Sequence, residues 1–552
     1  MKVARFLISL ALLSFFKNQS QAQFLPGKNV FTHADTLRGR LSPLRACYDV
    51  NFYHLDVRFD IDNRYISGSN RIKFTAMRDF SKLQFDLFDT LKISKVIYRD
   101  KEVPYTREAN AVFIMLPVSI KKGQQDEFTV FYSGYPTVTQ RAPRDGGIVF
   151  SKDSLGKPFV ATACEGTGAS IWWPNKDHLS DEPDSMLISI SVPKGLQEVS
   201  NGRLRLVTDL KDGYTRFDWF VGNPINNYNV AVNIGDFTHI NDSYNGVKGK
   251  LSLDYWPLKY NEVKAKRIFS RNVKTMLQTY EHWFGPYPFY SDGYKLVETP
   301  YPAMEHQSAI SYGGFLKGIP PNELKGGNDA EGWDFIIVHE SAHEWFGNNI
   351  TAKDLADAWI HEAFGTYAES LFLETLYGRQ AGLQHIYQNR QNIANDAPVV
   401  APYQVNQMGS GDMYAKGAVV LNMIRCIISD DEKWRGILRG LNEKFYHQTV
   451  TYENIVSYLT EKSGVDLAPM FSQYLHYKNL PLLEFVNKDG ILNCRWISDV
   501  RGFTMPVLVR KKGGNYQLIR PSSNFNPVGI NGVSKENVEL DSLDFYVGVI
   551  TD

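Results

Sequence analysis

The sequence predicts a multidomain α+β protein in three parts: a β-rich N-terminal domain, a mostly helical middle and a short β module at the C-terminus. Three observations carry this. From Tyr53 to about Phe237, apolar residues recur at every second position in short runs broken by turn residues, the mark of half-buried strands. From about Glu262 to about Leu475 the apolar period changes to three and four, the mark of amphipathic helices. Beyond Pro481 alternation returns, with Gly513-Gly514 set between two strand-like runs. The parts predicted are 46–240, 241–480 and 481–552, preceded by a segment 1–22 and an irregular leader 23–45.

In chain order, residues 1–22 place Lys2 and Arg5 before an apolar run from Phe6 to Phe16 and end in small and polar residues. That is the pattern of a cleaved secretory signal, and the run is short for a bilayer span. Export to the periplasm or beyond is therefore expected, with no membrane span after signal removal. YHLDVRFDI, the turn Asp62-Asn63-Arg64 and RYISGSNRIKF read as a hairpin. VIYRD, AVFIMLP, EFTVFYSG, SMLISISVP, RFDWFVG and NVAVNIGDF continue the strand pattern, as in a large sheet or sandwich. EVKAKRIFSRNVKTMLQTYEHWFG opens the helical part, where Gly347, Gly365 and Gly378 are expected as breaks or caps. MPVLVRKKGGNYQLIR reads as a hairpin of the final module.

Bulk composition narrows the classes of partner. The 552 residues are 43% hydrophobic and 22% charged, enough to bury a sizeable core. Lys+Arg and Asp+Glu number 60 each, so nothing in the net charge selects a nucleic acid or an anionic membrane. The four cysteines, Cys47, Cys164, Cys426 and Cys494, form no CxxC pair and fit buried thiols as well as disulfides.

The chemistry is concentrated in IIVHESAHEWFG, residues 336–347. On a helix, His339 and His343 return to one face, so both imidazoles can hold one metal ion. Glu340 lies at the edge of that face and suits a base acting on water rather than a ligand. A catalytic zinc takes three protein ligands and keeps one position open. Glu362, in the helical run DLADAWIHEAFGTYAESLF, follows His343 after 18 intervening residues and can return as the third. Asp357 and Glu369 are candidates to support the ligand histidines, although both also read as ordinary helix acids. Histidine and carboxylate ligands favour one Zn2+ per chain without excluding cobalt or manganese.

HESAHEWFG with Glu362 resembles the zinc site of the gluzincins, and two further stretches point within them to the M1 aminopeptidases, the group of aminopeptidase N and leukotriene A4 hydrolase. ETPYPAMEHQSAISY is similar to that family's G-x-M-E-N motif, read as Pro302-Ala303-Met304-Glu305-His306, with Pro302 in place of Gly and His306 in place of Asn. The resemblance makes Glu305 the anchor of a substrate's free α-ammonium, beside Ala303 and Met304, through a charge-assisted hydrogen bond. GDMYAKGAVVL resembles the Y-x-K-G segment, which makes Tyr414 the donor to the oxyanion; Tyr403, in APYQV, does not match. ATACEGTGASIWWPNKDHLSDEP resembles a segment ending in P-x-x-D-x-P and places Glu165 beside the substrate amine, with Trp172 and Trp173 lining the cleft or lying in the core.

The likeness extends over nearly the whole mature chain, from YDVNFYHLDVRFD to MFSQYLHYKNLPLLEF. It implies a saddle-like N-terminal β domain, a thermolysin-like catalytic domain and a short bacterial-type form without the long helical C-terminal domain of larger members. The cleft is accordingly expected to be more open. The activity implied is removal of N-terminal residues from peptides with a free N-terminus. Three rivals remain: a thermolysin-like zinc endopeptidase, which would not need Glu305; an epoxide hydrolase of the leukotriene type; and a non-catalytic peptide-binding homologue. The preferred N-terminal residue, the physiological substrate and the oligomeric state are not fixed by the sequence.

Overall fold

A computed structural model describes residues 30–316 and 332–550; the expected signal segment lies outside the described residues. The leader contains a short helix, α1 (His33–Gly39), where irregular chain was expected. Thr32 and Asp35 form a capping box that satisfies its first N–H groups. The leader is held down by a buried Arg45–Asp86 ion pair, 2.6 Å apart.

β1 (Tyr48–Asp60) and β2 (Tyr65–Ala76) pair antiparallel through Asp60 and Tyr65, as the alternation predicts. Tyr53, Leu55, Val57 and Phe59 all point inward and are fully buried, because the pleat sends every second side chain to the core face. β1 also pairs in parallel with Ser185–Pro193, so the hairpin sits inside an eight-stranded sheet. Trp172 and Trp173 belong to this domain's core. The NVAVNIGDF run departs from the expected strand: only Asn233–Gly235 pairs as a strand, and the 3-10 turn Asn227–Asn229 runs into its start. The Asn226 carboxamide accepts the Tyr228 N–H at 3.1 Å, a side-chain bond that competes with strand pairing.

A five-stranded sheet follows, in which Tyr294–Glu298 runs parallel to Ile310–Tyr312 and the edge strand Ala303–Met304 runs antiparallel to it. α2 (Glu262–Phe284) and α3 (Phe335–Ala342) pack on this sheet, α4 (Trp359–Tyr377) packs on both, and α5 (Arg379–Asn389) and α6 (Ala415–Ile428) pack on α4; among the described residues three more helices precede the tail. Gly347 breaks the chain after α3 and Gly378 caps α4, but Gly365 lies inside α4. The tail hairpin forms as expected, Val507–Lys511 against Gln517–Ile519. Val507 and Val509 of this hairpin, with Leu483, Phe485, Trp496 and Phe545 elsewhere in the tail, share one core with the helices. All four cysteines are free thiols. No helix among the described residues is long and apolar enough to cross a membrane.

Candidate metal centre and active site

α3 is apolar almost all round, which is why it runs through the interior. Asp334 caps it by accepting the Ile337 N–H at 3.1 Å. His339 lies in its last turn and His343 at its C-cap. Gly347, at φ 132°, then turns the chain away.

Hydrogen bonds fix both imidazoles. His343 Nδ1 donates to the Phe346 carbonyl at 3.0 Å, and His339 Nδ1 to Glu369 Oε1 at 2.7 Å. Each Nε2 is thereby the ring atom left to ligate, and the two face one another 3.3 Å apart. Glu362 Oε2, from the first turn of α4, stands 3.5 Å from one and 3.6 Å from the other. Ligand bonds of 2.0–2.1 Å in a tetrahedral site put donor atoms about 3.3–3.4 Å apart, so the three fit one face of such a site. Glu362 Oε2 is also fully buried. Two imidazole nitrogens and a carboxylate oxygen converging in this way are the ligand set a divalent cation requires, and among the described residues this is the one such cluster.

Gly365 explains its own place in α4. A Cβ there would stand 3.2 Å from His343 Cε1 and 3.5 Å from His339 Cε1, so the helix can lie this close to the imidazoles because the side chain is missing. Glu369, two turns beyond Glu362, holds His339 with one oxygen and His385 Nε2, at 2.7 Å, with the other. Asp357 does not support a ligand histidine. It accepts from Tyr403 Oη, the Tyr452 N–H and Trp359 Nε1, a bracing role between α4 and its neighbours that also occupies Tyr403.

Charge in the site is one-sided. Burial pushes the Glu340 carboxyl up to about 7, against the pull of His339. Burial draws His339 down, but bonds to Glu362 and Glu369 outweigh it and hold the imidazole well above its ordinary value. His343 is drawn down to about 4, chiefly by burial. Burial, then Glu340 and Glu362, raises Glu305; burial, then Glu305, Glu362 and Glu340, raises Glu165. So many carboxyls in one low-dielectric space call for cations.

Glu305 follows the edge strand Ala303–Met304 directly and is 3% exposed. Tyr228 Oη donates to its Oε1 at 3.0 Å, and Asn348 Nδ2 to its backbone carbonyl at 2.9 Å. Glu165 lies on the turn after the strand Pro158–Ala163, with Oε1 buried and unpartnered. Tyr414 heads α6, and its ring centroid is 6.0 Å from that of His339. Burial, with Glu362, Glu165 and Glu305 nearby, raises its phenol far above the usual range, so it stays a proton donor. His306 points away from this group, Nδ1 3.1 Å from Ser311 Oγ.

Sequence reasoning passed over Glu344, Asn348, Tyr228 and His385. Glu344 stands inside the quoted motif and ties α3 to the segment after Glu305, accepting from the Ser308 N–H and Tyr287 Oη, each at 2.8 Å.

Residues 269–474 match the peptidase family M1 domain. The chain is 24% identical over 529 residues to probable aminopeptidase 1 of Sulfurisphaera tokodaii, covering 90% of this chain and 63% of that one. It is 24% identical over 452 residues to leucyl aminopeptidase of Saccharolobus solfataricus, covering 79% and 54%. It thus spans less than two thirds of either relative. In fold it resembles an M1 zinc metallopeptidase mutant from Deinococcus radiodurans bound to Tyr-Ser-Ala, with a TM-score of 0.65, 19% identity and coverage of 79% of this chain and 96% of that one. The helical part that carries the site, residues 269–474, matches a peptidase family M1 domain.

Proposed function

We propose that the protein is a zinc-dependent aminopeptidase, one Zn2+ per chain, that removes N-terminal residues from peptides. The observation that carries this is Glu305: a buried carboxylate, oriented by hydrogen bonds, in the same electrostatic neighbourhood as Glu340 and Glu362. A second carboxylate, Glu165, shares that neighbourhood. An endopeptidase has no cation of the substrate to set there; an aminopeptidase has the α-ammonium.

His339, His343 and Glu362 would hold the zinc, which when bound makes water a better nucleophile near neutral pH and polarises the scissile carbonyl. Glu340 takes the proton of the attacking water and delivers it to the departing amide nitrogen. Tyr414 donates its phenolic hydrogen to the carbonyl oxygen as charge develops there. Glu305 and Glu165 accept the ammonium, which fixes the cut one residue from the end. The free side of the edge strand Ala303–Met304 offers backbone groups to the substrate chain. The charged, apolar and small-residue pattern of residues 1–22 supports export.

The test compares one short peptide with its N-acetylated twin, using zinc-loaded protein and a panel of N-terminal residues. Cleavage restricted to the free-amine series is expected. Equal cleavage of both series would replace this reading with an endopeptidase.

A further inference from the structure

The amine anchor is built across the junction of the two domains. Glu305 belongs to the catalytic domain, yet a side chain that donates to its carboxylate, Tyr228, comes from the N-terminal β domain and is 4% exposed. Tyr228 sits on the 3-10 turn Asn227–Asn229, and each asparagine around it is committed. Asn226 caps the turn at the Tyr228 N–H. Asn227 Nδ2 donates to the Lys176 carbonyl at 2.8 Å. Asn229 Nδ2 donates to Asn348 Oδ1 at 2.7 Å, and Asn348 Nδ2 in turn donates to the Glu305 carbonyl.

The turn therefore reaches Glu305 by two routes, one to its carboxylate and one to its backbone. Neighbouring bonds act in the same direction: Asn201 Nδ2 donates to the Gln307 carbonyl at 2.7 Å, and the Gly202 N–H to Ser308 Oγ at 2.9 Å. A carboxylate surrounded by other carboxylates tends to rotate away from them. A donor fixed on Oε1 opposes that rotation and leaves Oε2 for the substrate.

We infer that Tyr228 is a positioning residue for substrate-amine recognition: the N-terminal domain, through the 226–229 turn, holds Glu305 in the orientation that admits a free α-ammonium. The inference rests on the aminopeptidase reading above and adds that the β domain, beyond supplying Glu165, sets the orientation of Glu305. The Tyr228 hydroxyl donates to Glu305 and to none of His339, His343 and Glu362, so its loss is expected to act on binding and not on the chemical step.

The experiment uses the full chain with zinc bound. KM and kcat are measured for a free-amine tripeptide, with the N-acetylated twin as comparison, in the native protein and in Tyr228→Phe. The variant is expected to raise KM about tenfold, the size of one lost charge-assisted hydrogen bond, with kcat within about twofold and zinc content unchanged. Preference for the free amine over the acetylated twin falls with it. An unchanged KM, or a fall in kcat at constant KM, would overturn the inference. Should Tyr228→Phe fail to fold, Asn229→Ala replaces it, with the same split in KM and kcat expected. Absence of free-amine preference in the native protein would instead remove the aminopeptidase reading itself, so the two failures are distinguishable.

Discussion

Glu369 Oε1 lies 2.7 Å from His339 Nδ1, and through this contact a residue two turns beyond the ligand Glu362 decides which nitrogen of His339 carries the proton. With Nδ1–H committed to the carboxylate, Nε2 is free to ligate and the ring cannot turn. His385, on the other oxygen, keeps Glu369 from rotating.

Glu369→Gln should therefore weaken zinc binding by about 10–100-fold, the usual effect of removing such a support. His385→Ala should act in the same direction and less strongly. Competition with a fluorescent chelator measures this without reference to turnover. Wild-type affinity in Glu369→Gln would show that packing alone orients His339.

Glu340→Gln separates the base from the ligands. Its side chain lies off the triangle of His339, His343 and Glu362, so zinc should remain bound at one per chain while kcat falls by about 10²–10⁴. In the metal-free protein burial holds this carboxyl near 7. A bound dication stabilises the carboxylate, so the acid limb of kcat/KM should fall below pH 7, with activity lost as pH drops through it.

Zinc affinity should itself depend on pH, and the sign follows from His339. Bonds to Glu362 and Glu369 hold this imidazole well above its ordinary value despite burial, so at neutral pH the metal-free protein carries a proton there that must leave on binding. His343, at about 4, is already neutral. Apparent affinity should rise by up to about tenfold per pH unit across the neutral range and level off once His339 deprotonates. Titration in buffers of different ionisation enthalpy would show net proton release on zinc binding at pH 7, from His339 and in part from the Glu340 carboxyl held near 7. Zero release, with a flat affinity, would contradict the assignment.

The metal half of this site was legible because it is local. Two histidines four apart need only a helix, and Glu362 needs only a turn and a second helix. Gly365 was misread as a break because the reason for a glycine there is the His339–His343 pair, a contact that exists only after α3 and α4 pack. The amine half was legible only through resemblance, since Glu305 and Glu165 carry no periodic or spacing signal. Tyr228 was out of reach: it meets Glu305 across 77 residues, and Asn229 meets Asn348 across 119. The run around it looked like a strand because Val230 and Val232 are buried, although it is the cap at Asn226 that sets the backbone. In the β domain alternation served well, because β1 and β2 bury one face against a core and the register follows from the pleat.

Tyr414 supplies the remaining prediction, in two variants. Tyr414→Phe removes the donor and should lower kcat by about 10²–10³ with KM little changed. Gly417→Ala leaves the phenol in place but strikes the packing that holds it. A Cβ at residue 417 would come 2.3 Å from the Ala363 Cβ, next to the ligand Glu362, so α6 must move away from α4. Overpacking of this kind costs about 1–3 kcal/mol, and the shift displaces Tyr414 at the head of α6. A lowered melting temperature together with reduced kcat is expected, with zinc still bound. A variant that melts earlier but keeps full kcat would mean that Tyr414 is held by its own turn, Gly411–Met413, and not by the α4–α6 contact.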